Sequence, residues 1–248
     1  MNLFNIVSEI EKVDPEANER HSFYSRRNLL KFGSKLAAAG IPTLVAANLN
    51  KAFAQAAGPS AKAVAVLQYA LTLEYLEDEF YRLGLAASGL IPAADRTIMT
   101  QISKHEAAHV ALLRMAIGTT AAAKPTFKFP AGTFTSYPTF LGTARALEDT
   151  GVAAYKGQAG ELIGDKGILQ VALQIHSVEA RHAAEIRRLL GLKGWVSDPA
   201  PAQTTLTQGG VNLKTLPNAT GFSDNAFREA FDEPLTMAQV LAIAAPFL

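Results

Sequence analysis

Residues 104–113 read KHEAAHVALL and residues 176–187 read HSVEARHAAEIR. Each stretch sets a Glu three positions before a His, Glu106 with His109 and Glu179 with His182, in otherwise apolar helical spacing. On a helix, side chains at i and i+3 share a face and lie about one turn apart. The first stretch also contains HEAAH at residues 105–109. That is the H-E-x-x-H pattern, in which two imidazoles at i and i+4 hold one zinc ion and the glutamate acts as a base. The neighbours on these helical faces decide between the two readings.

Working outward, the chain reads as four long helices. The first runs from about Ala61 to Leu83, with Val64, Leu67, Leu71, Glu74, Asp78 and Tyr81 along its seam. The second, about Ala93 to Ile117, lines up Met99, Ile102, Glu106, His109, Leu113 and Ala116. The third, about Pro138 to Ile163, lines up Leu141, Ala144, Glu148, Val152, Tyr155, Ala159 and Leu162. The fourth, about Lys166 to Leu190, lines up Ile168, Ala172, Ile175, Glu179, His182, Ile186 and Leu189, with Gly191 as its C-cap. Residues 118–137 between the second and third helices are too many for a tight antiparallel turn. They suit a crossover that leaves those two helices parallel. Residues 192–235 have little periodicity, and Thr236 with Gln239 forms a capping-box pattern ahead of a short fifth helix.

Carboxylates thus stand where a core should be. A buried, unpaired carboxylate is strongly unfavourable and must neutralise, pair or bind a metal. The pattern also repeats: Glu74 and Tyr81 recur 74 residues later as Glu148 and Tyr155, and Glu106 with His109 recurs 73 residues later as Glu179 with His182. Two such halves, packed face to face, supply four carboxylates and two imidazoles. This is the donor set of a carboxylate-bridged two-metal site in a four-helix bundle. Oxygen with imidazole nitrogen suits iron or manganese, and zinc less well.

The stretches ALTLEYLEDEFY (70–81), KHEAAHVALL, ALEDTGVAAYKG (146–157) and HSVEARHAAEIR resemble the ferritin-like superfamily, in the branch that includes bacterial and plant desiccation-related proteins. AFDEPLTMAQVLAIAAPF (230–247) is similar to that branch as well. The resemblance implies an all-α, ferritin-like four-helix bundle over residues 55–191, with residues 192–248 as an extension packed on it. It implies two metal ions held by Glu74, Glu106, His109, Glu148, Glu179 and His182, with Glu106 and Glu179 bridging. His176, Tyr81 and Tyr155 stand as candidates for a surrounding shell or for ordinary core packing. Among Glu77, Asp78 and Glu79, only Glu74's repeat partner singles out a ligand, so these three are expected in water or in salt bridges. The zinc-peptidase reading of HEAAH leaves Glu179, His182 and the repeat unexplained; His105 is then solvated or second to a ligand.

The start of the chain reads as an address. Ser25-Arg26-Arg27-Asn28-Leu29-Leu30-Lys31 resembles a twin-arginine export signal, and residues 51–54 (KAFA) end in a signal-peptidase Ala-x-Ala pattern. Residues 1–54 are therefore expected to be a signal peptide read by the export machinery and signal peptidase. Delivery is then to the periplasm or cell envelope, with an uncleaved anchor as the lesser alternative. Residues 55–248 carry 16 Lys or Arg against 17 Asp or Glu, which points to no nucleic-acid partner. With no cysteine, iron–sulfur and thiol chemistry are excluded, so redox cycling needs an external electron donor. Function is expected to be ferroxidase- or catalase-like chemistry with dioxygen or peroxide in stress protection. A non-catalytic protective component of the envelope is the alternative. A homo-oligomer is compatible with both.

Overall fold

The computed structural model describes residues 59–196, 207–208, 211–212, 221–232 and 234–248. The expected signal peptide, its cleavage point and the anchor reading lie outside them. Four long helices form the bundle: α1 (Ala61–Ala86), α2 (Ala93–Ile117), α3 (Tyr137–Gln158) and α4 (Lys166–Leu189). After a two-residue antiparallel pair, β1 (Thr207–Gln208) with β2 (Val211–Asn212), come two short helices, α5 (Asp224–Ala230) and α6 (Met237–Ala244). The fold is the expected all-α four-helix bundle with a short C-terminal helix. α5 and the β pair carry no long periodic stretch that would have announced them.

Helix ends follow local chemistry. The side chains of Ser60, Ser136 and Thr236 accept from backbone amides in the first turns of α1, α3 and α6, and Thr236 with Gln239 completes the expected capping box. α4 closes through Gly191 at φ +73°, a left-handed conformation that glycine adopts without penalty. There the Leu192 amide bonds Arg187 O at 2.9 Å and the Gly191 amide bonds Arg188 O at 3.0 Å, a Schellman arrangement. The third helix is shorter than its periodicity suggests: Ala159–Leu162 tightens into a 3₁₀ turn, though Leu162 remains buried.

Side-chain pairings fix the helix directions. Arg96 of α2 reaches Leu85 O of α1, while Arg114 of α2 reaches Tyr75 of α1, so these helices are antiparallel. Tyr81 meets Glu148 and Tyr155 meets Glu74, which makes α1 and α3 antiparallel too. α2 and α3 therefore run the same way, as the long crossover requires. That crossover follows α1: the Gln68 side chain binds Thr120 O and the Ala122 amide, Tyr75 binds Ala122 O, and Lys124 pairs with Asp78 and Glu79. It ends in an aromatic cluster in which Phe80 stacks on Phe140 (centroids 4.6 Å apart) with Phe129 and Phe134 around them.

The C-terminal segment packs on α3. The Leu235 amide bonds Ala153 O at 3.1 Å, Lys156 reaches Asp232 O, and Val240 and Ala244 join the core. Between α3 and α4, Arg187 bonds both oxygens of the buried Asp149 at 2.6 and 2.7 Å. Burial still lifts the Asp149 carboxyl to about 6 against the pull of Arg187. Among the described residues, no helix is long and apolar enough to cross a membrane.

Candidate metal centre

The bundle brings all six sequence-selected donors to one place at its middle. Glu74, Glu106, Glu148 and Glu179 are fully buried, and His109 and His182 are 8% and 5% exposed. Each helix holds its share because the donor takes a seam position one turn from apolar anchors, such as Ile102 and Leu113 around the α2 pair. The donors fall into two groups, Glu74, Glu106, His109 and Glu179, and Glu106, Glu148, Glu179 and His182. Within each group the donor atoms lie within 4.8 Å of one another.

Glu106 belongs to both groups through different oxygens. Its Oε2 lies 3.1 Å from His109 Nδ1 and its Oε1 lies 2.9 Å from His182 Nδ1. Glu179, the other shared residue, puts Oε1 3.1 Å from His109 Nδ1. Glu74 Oε2 is 3.2 Å from His109 Nδ1 and Glu148 Oε2 is 3.2 Å from His182 Nδ1, so the unshared carboxylates mirror each other. Their remaining oxygens accept from tyrosines, Glu148 Oε1 from Tyr81 and Glu74 Oε1 from Tyr155. The sequence left these tyrosines open between core packing and a supporting shell. They are buried and they also hold carboxylates.

The unsatisfied atoms of the donor set fit a cation. Glu106 Oε1, Glu148 Oε2, both oxygens of Glu179 and His182 Nδ1 have no hydrogen-bond partner despite close neighbours. Five unsatisfied buried polar atoms in one spot are abnormal in a native fold and call for an ion or water. The separations of 2.9–3.2 Å match the edge between neighbouring ligands about 2.1 Å from a shared centre. The cluster could hold metal ions.

Electrostatics agree. Burial, then the charges of Glu106 and Glu74, push the Glu179 carboxyl well above the usual range, and burial raises Glu106 also. For Glu74 burial is outweighed by His109 and Tyr155, which hold it below that range. His182 works against its burial: Glu148 and Glu106 raise its imidazole to about 11. Without a cation, protons on the imidazoles balance the carboxylates, and a divalent ion would displace them.

One residue departs from the sequence reading, and His176 and His105 each take one of the two places it left open. Glu77 is not in water and pairs with no cation among the described residues; it is 3% exposed. Burial and the charges of Glu179, Glu148, Glu106 and Glu74 push its carboxyl well up. It lies at i+3 from Glu74, on the same face, and that spacing was the available signal. The glycine at 151 makes room there: a Cβ would stand 3.2 Å from Glu179 Oε2 and 3.3 Å from Glu77 Oε1. Asp78 and Glu79, by contrast, pair with Lys124 as expected. His176 touches no donor in the cluster, and its Nδ1 lies 3.1 Å from Val152 O. His105, the first residue of HEAAH, does not converge with His109. Its Nδ1 lies 2.9 Å from His182 Nε2. That contact fixes which nitrogen of His182 faces the cluster, and it removes the geometric basis of the peptidase reading.

Among curated proteins, none matches this chain. The family described as the ferritin-like domain matches residues 62–192, just over half of the sequence and all of the bundle that carries the cluster except Ala61. The chain therefore belongs to the ferritin-like domain family.

Proposed function

We propose that this chain is an exported protein holding two iron or manganese ions, with zinc the poorer fit, and that it does redox chemistry on dioxygen or peroxide. Glu106 and Glu179 would bridge the ions, with Glu74 and His109 completing one site and Glu148 and His182 the other. The observation that carries this reading is Glu106, which sets one oxygen beside each imidazole. Metal pairs of this kind supply two-electron exchange with bound oxygen species, whether ferroxidase- or catalase-like.

The chain's own residues prepare that chemistry. Tyr81 and Tyr155 donate to the unshared carboxylates and hold their outer oxygens, leaving the inner ones for the ions. His105 holds the far nitrogen of His182. The apolar residues of the seams exclude bulk water. Electrons for reductive cycling would come from an external donor, since the chain has no cysteine for an iron–sulfur relay. The twin-arginine pattern and Ala-x-Ala ending within residues 25–54 support export, cleavage and residence in the periplasm or cell envelope. Similarity to the desiccation-related branch supports a role in stress protection.

One observation favours a second reading. All four ligand carboxylates are fully buried, as suits ions that tie the helices together in a protective protein without turnover. Elemental mass spectrometry on natively exported protein tests the metal assignment. About two iron or manganese ions per chain are expected; one zinc, or no metal in folded protein, would overturn it. Replacing Glu106 and Glu179 by Ala then separates the two roles. Loss of oxidase or catalase turnover with the fold retained indicates catalysis. Unfolding, in a protein whose parent never turned over, indicates a structural metal.

A further inference from the structure

The contacts around the six donors differ in one respect, which is access. Among the described residues, the hydrogen-bond and ion-pair partners of Glu74, Glu106, His109, Glu148 and Glu179 are all buried. His182 alone has an exposed partner, His105. The two rings are tilted by only 7°, with centroids 5.2 Å apart and nitrogens at 2.9 Å. They therefore meet edge to edge, in one line from solvent to the cluster. Ala108, at i+3 on the same helix face, is also exposed and adds only a methyl group to the surface there.

We infer that His105 is the landing ligand through which divalent metal ions reach the buried cluster, passing between α2 and α4. The inference rests on the two-metal reading proposed above. The His105 nitrogen not engaged with His182 is an imidazole donor suited to iron, manganese or zinc. An ion that exchanges one water for His105 is held at the seam between α2 and α4, beside the His182 ring whose Nδ1 faces Glu106 and Glu148. Passage on the tyrosine sides would instead drag a hydrated dication through apolar core, at a large desolvation cost. Tyr81 and Tyr155 are 0% and 7% exposed.

The test is the rate at which the whole chain takes up cobalt(II), followed anaerobically by its absorption in a stopped-flow instrument. His105→Gln can still accept from His182 Nε2 but is a poor metal ligand; His105→Glu restores a metal-binding group. Uptake is expected to slow tenfold or more in His105→Gln and in His105→Ala. It is expected to return to within about threefold of the parent in His105→Glu, and the final stoichiometry is expected to stay unchanged in all three. If His105 only orients His182, uptake will keep its rate and release will quicken, which overturns the inference. Faster uptake in His105→Ala would make the residue a plug, and equal slowing in all three variants would assign the effect to packing; either overturns it. If the parent binds no metal at all, the two-metal reading falls and takes this inference with it. Two ions bound with rates indifferent to residue 105 would sink the inference alone.

Discussion

At the scale of single residues, the site is built crosswise. Tyr81 and Glu74 belong to α1, yet Tyr81 serves Glu148 of α3, and Tyr155 of α3 serves Glu74. Each half of the repeat thus orients the carboxylate of the other, which ties the halves together where their charges would push them apart. Losing a hydroxyl that orients a metal ligand typically weakens metal binding by about 10- to 100-fold. Tyr81→Phe and Tyr155→Phe are each expected to fall in that range, with similar values because their surroundings match. Competition with a coloured chelator measures it, and unchanged affinity in both variants would reduce the tyrosines to core packing. The six donors were legible in the sequence because charge at a seam position is anomalous and the anomaly came twice. Glu77 was not, since it sits in a run of three acids whose other two, Asp78 and Glu79, do pair with Lys124. His105 was legible as solvated or second to a ligand, but not which ligand, because its partner, His182, is 77 residues away.

At the scale of elements, the seams read from the sequence divide in two. On α2 the buried residues are the six of the expected stripe plus Ile117, so periodicity alone describes that helix. α1 and α3 are buried on nearly every side in their middles. The added cover comes from the crossover and the C-terminal segment, whose irregular sequence carries no period to reveal where it packs. A pair of glycines on α3 tests that cover. A Cβ on Gly157 would stand 1.8 Å from Leu235 O, whereas one on Gly142 would meet nothing within 4 Å. Gly157→Ala is expected to cost about 1–3 kcal/mol by overpacking and to expose the segment after Leu235 to protease. Gly142→Ala, on the same helix, is expected to stabilise by about 0.5–1 kcal/mol through helix propensity. Thermal midpoints with limited proteolysis distinguish the signs, and a harmless Gly157→Ala would mean that the C-terminal segment does not press on α3.

At the scale of the whole molecule, the buried charges make stability depend on pH in opposite senses with and without metal. In the metal-free chain Glu77, Glu106 and Glu179 have carboxyls raised by burial. Their contribution to stability is full below the ordinary carboxyl value of 4.5 and is lost as pH rises through the raised values. His182, raised from 6.5 to about 11 by Glu148 and Glu106 against its burial, acts the same way: its share is full below 6.5 and is lost toward 11. Glu74, lowered by His109 and Tyr155 against its burial, runs the other way, but its loss falls on the acid side of 4.5. Between about pH 5.5 and pH 8.5 the metal-free protein should therefore melt progressively lower, by roughly 5–10 °C, at about 2–4 °C per kcal/mol for a chain of this size. Metal reverses the slope because its ligands must be deprotonated, so binding strengthens as pH rises. Ions at a thousandfold excess over their Kd add about 4 kcal/mol, roughly 10 °C, at the alkaline end. Calorimetric scans of chelator-treated and iron- or manganese-loaded protein at three pH values check both slopes. Parallel curves would mean that these carboxylates find their counter-charge within the protein and that no metal is needed to hold the bundle together.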